Sequence, residues 1–234
     1  MGNNINNMIP SLGTNCSVEF LDNKMWFEED RVIQYVKNGG NITNTNEDGE
    51  TLIFKAILGG SNRFDCLFKL LLDREVDLER KKNNNDTLLH VGCIYKTCSP
   101  KKIYALLKKG ANPNSLDSRC NTPLHMCKCI KKAGMLLDFG ADINFKNKFG
   151  KTLLACTNDP RMIQFLISKG ADINSKDKYG KSVLQRNVSE GYENAVKILL
   201  ENGAKETGIY KGINEHMMKF INKTKSEIEQ NWNW

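Results

Sequence analysis

The sequence predicts an all-α fold, a solenoid of about six stacked helix-turn-helix units with hairpin turns projecting between them. Three observations carry that prediction. A Thr or Ser followed by two apolar residues recurs at Thr51-Leu52-Ile53, Thr87-Leu88-Leu89, Thr122-Pro123-Leu124, Thr152-Leu153-Leu154 and Ser182-Val183-Leu184, with steps of 36, 35, 30 and 30. Gly-Ala pairs recur at Gly110-Ala111, Gly140-Ala141, Gly170-Ala171 and Gly203-Ala204, with steps of 30, 30 and 33. The stretch LLDFGADINFKNKFGKTLL at 136–154 returns as LISKGADINSKDKYGKSVL at 166–184. Self-similarity at such a step marks an array in which each unit buries its apolar face only against its neighbours.

Each part of the unit has a physical reason. The Thr or Ser is a helix N-cap, its hydroxyl placed to take an orphan backbone N–H. Pro123 follows one such cap at the first helical position, where a missing N–H costs nothing. Further along the first helix comes a small or modest residue facing the next unit: Ala56, Gly92, Cys127, Thr157 and Asn187. A second helix follows at 66–72, 103–107, 133–139, 162–167 and 195–200, with apolar residues at i, i+3 and i+4 making one buried stripe. The Gly of the Gly-Ala pair ends it in the left-handed conformation of a C-terminal cap. The polar stretch from there to the next Thr, rich in Asn, Asp and Gly, reads as an extended turn or hairpin.

These signals divide the chain into a disordered N-terminal tail (1–16), an array (17–206) and a C-terminal capping helix and tail (207–234). The units are 17–46, 47–82, 83–117, 118–147, 148–177 and 178–206. The first is legible only in its second half, through Val32, Ile33, Tyr35, Val36 and Gly39-Gly40-Asn41-Ile42. The units that start at Thr122 and Thr152 are about three residues short and lack the inter-helix turn. In the tail, Ile213, Met217, Phe220, Ile221 and Ile228 make an apolar stripe. It reads as a cap over the end of the stack or as a docking segment ending in Trp232 and Trp234.

Composition excludes several classes. No apolar run reaches the roughly 18–20 residues of a membrane span, and the first ten residues lack the apolar core of a secretory signal. The Met-Gly start suits N-myristoylation, but Asn6 stands where that motif needs Ser or Thr. Net charge is +7, from Lys residues that are scattered or paired rather than blocked, so no nucleic-acid partner is expected. Asn occurs 28 times, which points to an AT-rich coding genome rather than to a function. The eight Cys read as reduced thiols. Cys93-x4-Cys98 and Cys127-x-Cys129, with His90 and His125 nearby, do not match the C-x2-C pairs of structural zinc sites. Several of these Cys fall where a small apolar residue would pack. No Gly-rich phosphate loop, Ser/His/Asp arrangement or metal box is present, so no catalytic residue, cofactor or metal is assigned.

Thr-Pro-Leu-His at 122–125, Thr-Leu-Leu-His at 87–90, the Leu-Leu pairs and Gly-Ala-Asp-Ile-Asn at 140–144 and 170–174 resemble the ankyrin repeat, over residues 17–206. The irregular units and Asn-rich turns resemble ankyrin proteins of large DNA viruses, poxviruses in particular, or of intracellular parasites. The resemblance implies that His90 and His125 hydrogen-bond the backbone and Thr hydroxyls of the turn beside them. It also implies a non-enzymatic, monomeric scaffold that binds a protein partner through a concave surface, at turn tips and the exposed face of each first helix. Tip candidates are Asn46, Glu47, Asn84, Asp117, Arg119, Phe145, Lys146, Lys148, Phe149, Lys176, Lys178 and Tyr179. First-helix candidates are Lys55, Val91, Met126, Cys156 and Arg186. Phe145 stands out because its counterpart one unit later is Ser175. It is either an anchor for the partner, as aromatics are at hot spots, or a packing residue against Phe149 or the neighbouring turn. By the same resemblance the protein is a pathogen factor that engages a host protein and modulates innate signalling, an NF-κB inhibitor-like role included. The alternative is a substrate adaptor for a ubiquitin ligase, with the tail as recruiting element. The compartment is the cytoplasm, that of the host for a pathogen factor, with the nucleus also open.

Overall fold

The computed structural model describes residues 29–60, 62–205 and 215–231. The N-terminal tail, the first half of the first unit, the Met-Gly terminus, Ile213, Trp232 and Trp234 lie outside the described residues. Two compact units divide at Ala111–Asn112, inside the third predicted repeat.

The first unit contains α1 (Glu29–Lys37), α2 (Leu52–Leu58), α3 (Asn62–Leu72), α4 (Leu88–Ile94) and α5 (Pro100–Lys108). The second contains a 3-10 helix η1 (Pro123–Met126), α6 (Ile130–Asp138), α7 (Leu153–Cys156), α8 (Pro160–Ser168), α9 (Val183–Glu190), α10 (Glu193–Glu201) and α11 (Glu215–Asn231). An isolated antiparallel bridge, Lys176 to Ser182, is the extent of β pairing among the described residues. In the first unit α2 packs on α4 and α1 on α3, while α2 with α3 and α4 with α5 form the helix pairs. In the second, η1, α7 and α9 line up as first helices, and α8 and α10 as second helices.

All five Thr/Ser anchors are N-caps in extended backbone. Thr152 Oγ1 accepts from the Ala155 N–H at 3.3 Å, and Ser182 Oγ from the Gln185 N–H at 3.1 Å. Gln185 Oε1 accepts in return from the Ser182 N–H at 2.9 Å, closing a capping box. The two short units have first helices of four residues each, η1 and α7, against seven or eight elsewhere. The missing residues are thus taken from the first helix as well as from the turn after it.

The second helices end as the Gly-Ala pairs predict. Gly140 has φ +86°, its N–H donates to the Leu137 carbonyl at 3.0 Å, and the Ala141 N–H donates to the Leu136 carbonyl at 2.9 Å. This is a Schellman cap, and it recurs at Gly110-Ala111, Gly170-Ala171 and Gly203-Ala204.

The core runs between the two helix layers. In α2, Leu52, Ile53, Phe54, Ala56 and Ile57 are all buried, and in α4 so are Leu88 through Cys93. Val91, expected on an exposed face, is therefore a correction: it is 1% exposed, because α4 has α2 on one side and α5 on another. Gly92 shows how close that packing is. A Cβ there would lie 2.5 Å from Ile103 Cδ1 and 3.0 Å from Ile57 Cδ1.

The tail helix begins, in the described chain, at Glu215. It packs on α10, burying Met217, Ile221 and Thr224, while Phe220 and Ile228 are half-buried. Lys197–Glu227 at 3.9 Å and His216–Glu193 at 3.1 Å flank the contact.

Candidate functional site

The projecting turns are built by one repeated device. Asp177 Oδ1 accepts the N–H groups of Tyr179 and Lys181 at 2.9 and 3.0 Å. Asn147 Oδ1 does the same for Phe149 and Lys151, Asp117 Oδ1 for Arg119 and Asn121, and Asn46 Oδ1 for Asp48 and Glu50. A short acceptor side chain closing its own turn is what Asn and Asp do best. Asn46 and Asp117, expected to face a partner, are thereby committed inward, and Asp117 is buried. Asn84 is exposed but bonds Asp86, its Nδ2 to Oδ2 at 2.6 Å and its Oδ1 accepting the Asp86 N–H at 3.1 Å.

Turns are tied to one another through the backbone. The Lys148 N–H donates to the Arg119 carbonyl, and the Lys178 N–H to the Phe149 carbonyl, both at 3.0 Å. In the first unit the Asn83 N–H donates to the Asp48 carbonyl at 3.0 Å, and Asn83 Nδ2 to the Glu47 carbonyl at 2.6 Å. Gly150 allows this approach: its φ is +72°, and a Cβ would sit 2.5 Å from the Lys178 nitrogen.

A second ladder runs beneath the turns. Asn114 Oδ1 accepts the Asp142 N–H at 2.9 Å while its Nδ2 donates to the Gly140 carbonyl at 2.9 Å. Asn144 repeats this on Asp172 (2.8 Å) and Gly170 (3.5 Å), and Asn174 accepts the Lys205 N–H at 2.7 Å. These asparagines have structural work that the explanation by coding bias missed. The periodicity itself was the signal, since 114, 144 and 174 share one column.

The histidines do as the resemblance implied. His90 Nδ1 accepts the Thr87 N–H at 3.2 Å and lies 2.9 Å from its hydroxyl. His125 Nδ1 meets Thr122 at the same distances, and its Nε2, 3.0 Å from the Lys151 carbonyl, ties the next turn back to this one. Phe145 is half-buried and meets the His125 ring edge-on, with centroids 6.3 Å apart. Its counterpart Ser175 is 5% exposed and lies 3.3 Å from the Thr152 hydroxyl. Phe145 thus packs on the His125 side chain at the third helical position of its cap, whereas Ser175 meets the hydroxyl of a cap whose third position is Ala155.

The remaining tip candidates face outward. Glu47, Arg119, Lys146, Lys148, Lys176 and Lys178 are exposed, Phe149 is 39% exposed and Tyr179 78%. The Lys178 ammonium lies 4.9 Å from the Phe149 ring centroid and 5.0 Å from that of Tyr179. Lys146 Nζ donates to the Lys176 carbonyl at 3.0 Å. Charge inverts between units in matching turn positions: Glu47 and Glu50 in the first unit stand where Lys148 and Lys151, then Lys178 and Lys181, stand in the second. Glu50 is drawn inward. Burial pushes its carboxyl up, but the Lys55 hydrogen bond and charge, with Asn46 and Lys82, bring it below the ordinary carboxylate range.

On the first helices, Lys55 is paired with Glu50 at 3.1 Å and Met126 is half-buried. Arg186 donates to the Ala155 carbonyl at the end of α7. Cys156 reaches the surface, yet desolvation by the atoms packed around its sulfur pushes the thiol up, against the lowering charges of Arg186 and Lys151. Such a thiol stays protonated at neutral pH and is a poor nucleophile.

Sequence reasoning missed Lys102. It is 4% exposed, donates to the Ala56 and Gly59 carbonyls at 2.9 and 2.7 Å, and pairs with Asp65 at 3.0 Å. It closes the open carbonyl end of α2, as Arg186 does for α7. Among the described residues no three His, Cys, Asp or Glu side chains gather to hold a metal, and no helix is long and apolar enough to cross a membrane. The described cysteines are free thiols.

Short helix pairs, joined by turns whose inward groups are spent on the backbone, define a repeat protein that presents the outward side chains of its turns. A family profile describing ankyrin repeats in three copies matches residues 26–117 and 125–208. The chain belongs to the ankyrin repeat family. It is 36% identical over 104 residues to a putative ankyrin repeat protein of Rickettsia felis, covering 38% of this chain and 44% of that protein. It is 27% identical over 128 residues to the ankyrin repeat protein OPG189 of Variola virus, covering 52% of this chain and 23% of that protein. The chain thus spans less than half the length of these curated relatives. Among solved structures, the ankyrin repeat domain of Bcl-3, described as a unique member of the IkappaB protein family, superposes with a TM-score of 0.67 at 21% identity. That match covers 83% of this chain and 91% of that one.

Proposed function

We propose that the chain is a non-enzymatic scaffold that binds a partner protein through its turn tips and the adjoining first-helix faces. One observation carries the reading. The inward side chains of the turns close the turns themselves, whereas Lys148, Phe149, Lys176, Lys178 and Tyr179 stand outward, unneeded by the stack. Aromatic and cationic side chains held on a rigid backbone make efficient binding anchors, because little entropy is lost on docking. The finer proposal is a monomeric pathogen factor that engages a host protein in the host cytoplasm and modulates innate signalling; the Variola virus relative supports its pathogen origin. The scaffold reading is preferred to a ubiquitin-ligase adaptor because α11 spends Met217 and Ile221 on α10 rather than offering them to a ligase subunit.

Affinity capture from host-cell lysate tests it. The wild-type chain retains a defined partner, and Phe149→Ala/Tyr179→Ala, with unchanged circular dichroism, loses it. Cullin-complex subunits that co-purify only when residues 207–234 are present would favour the adaptor instead.

A further inference from the structure

We propose that the basic turns of the second unit bind an acidic segment of the partner protein, with the Lys178 ammonium between Phe149 and Tyr179 as the central contact. The inference rests on the scaffold reading above and names the chemistry of its partner. Three observations converge on it.

The first is unneutralised charge. Lys148, Lys176 and Lys178 are exposed, and among the described residues no carboxylate pairs with them. Asp177, the acid closest in sequence, spends its Oδ1 on the turn N–H groups of Tyr179 and Lys181. The second is order. The Lys178 ammonium sits about equally far from two ring centroids, 4.9 and 5.0 Å, and its backbone is fixed by the N–H bond to the Phe149 carbonyl. A lysine steadied by two aromatic faces gives up less side-chain freedom when a carboxylate arrives than a free one does. The third is the sign inversion along the turn columns. Glu47 and Asp48, exposed at the first unit's turn, repel an acidic segment, so binding is confined to the second unit.

The rings also discriminate between polyanions. A nucleic-acid strand needs open aromatic faces on which bases stack. Here one face of each ring is turned to the Lys178 ammonium and Phe149 is only 39% exposed, so Tyr179 alone offers an open face rather than a run of stacking platforms, and the remaining ring edges suit aliphatic side chains flanking a carboxylate. A protein segment of alternating acidic and apolar residues fits that surface.

The test is fluorescence anisotropy of the full chain with a labelled peptide of repeating Glu-Glu-Leu triplets, a Gln-Gln-Leu peptide and single-stranded oligothymidylate. The acidic peptide binds, weakens steeply with salt, and loses about tenfold in affinity with Lys178→Glu and with Lys148→Glu. Lys96→Glu, which changes an exposed charge in the first unit, leaves binding unchanged. Equal binding of the Gln peptide, tighter binding of the oligonucleotide, or equal losses in Lys96→Glu and Lys178→Glu overturn the proposal. A lysate partner still captured by the Lys178→Glu chain overturns it while the scaffold reading stands. Failure of the wild-type chain to capture any partner removes the scaffold reading itself.

Discussion

The Phe145 ring stands edge-on to the His125 imidazole, with centroids 6.3 Å apart and planes at 86°. The imidazole in turn serves Thr122 on one side and the Lys151 carbonyl on the other. One aromatic contact therefore steadies both a helix cap and the tie to the next turn. A double-mutant cycle between Phe145→Ala and His125→Ala in urea unfolding is expected to return a coupling of about 1 kcal/mol. Strict additivity would mean that the two rings do not support each other.

Asn144 makes two bonds to the following repeat, to the Asp172 N–H and the Gly170 carbonyl. Asn144→Ala leaves both without that partner at an exposed site, where water can replace it, so a loss of about 0.5–1 kcal/mol is expected in denaturant unfolding. Asn144→Asp keeps the acceptor but places a carboxylate beside Asp172, and it falls between wild type and Ala. If Asn144→Ala leaves the midpoint unmoved, the ladder does not hold the repeats together.

Glu50 gives the first unit an acid-sensitive anchor. A carboxyl held below its ordinary value of 4.5 stabilises the fold above that pH, and this stabilisation falls away as pH drops through the lowered value. Glu50→Gln is expected to lower the melting temperature near neutral pH and to lower it by less in strong acid. A melting-temperature difference that does not change with pH would contradict the pairing with Lys55 and Lys82.

Lys102 is a buried cation held by the Ala56 and Gly59 carbonyls and Asp65, with its ammonium 5.6 Å from the Phe68 ring centroid. Lys102→Ala strands two carbonyls and opens a cavity, while Asp65 keeps its solvent, and about 2–4 kcal/mol is expected to be lost. Lys102→Met is milder, since the same column holds the buried Met162 two repeats later. Equal losses for the two variants would show that packing plays no part.

The recurring parts of this fold were legible in the sequence because they are local. Thr152 caps a helix through an atom three residues away, and Gly140 closes one through its own φ. Neither depends on where the chain later goes. The candidate surface was legible by half. Phe149, Lys178 and Tyr179 point outward as expected, but Phe145 is taken by His125, Asn46 and Asp117 by their own turns, and Val91 by the core. Phe145 and Val91 depend on neighbours outside their own turn or helix, and even for Asn46 and Asp117, bonded within their own turns, a polar or aromatic letter does not say whether its partner is solvent, backbone or another ring. Lys102 was hidden for the same reason: its partners lie more than 35 residues back in the chain.

The central claim, that partners dock on the outward turns of the second unit, is tested most directly by hydrogen–deuterium exchange of the chain alone and with its captured partner. Protection is expected at residues 145–151 and 175–181, with α6 and α8 unchanged. Protection confined to α6 and α8, with those turns exchanging as in the free chain, would contradict it.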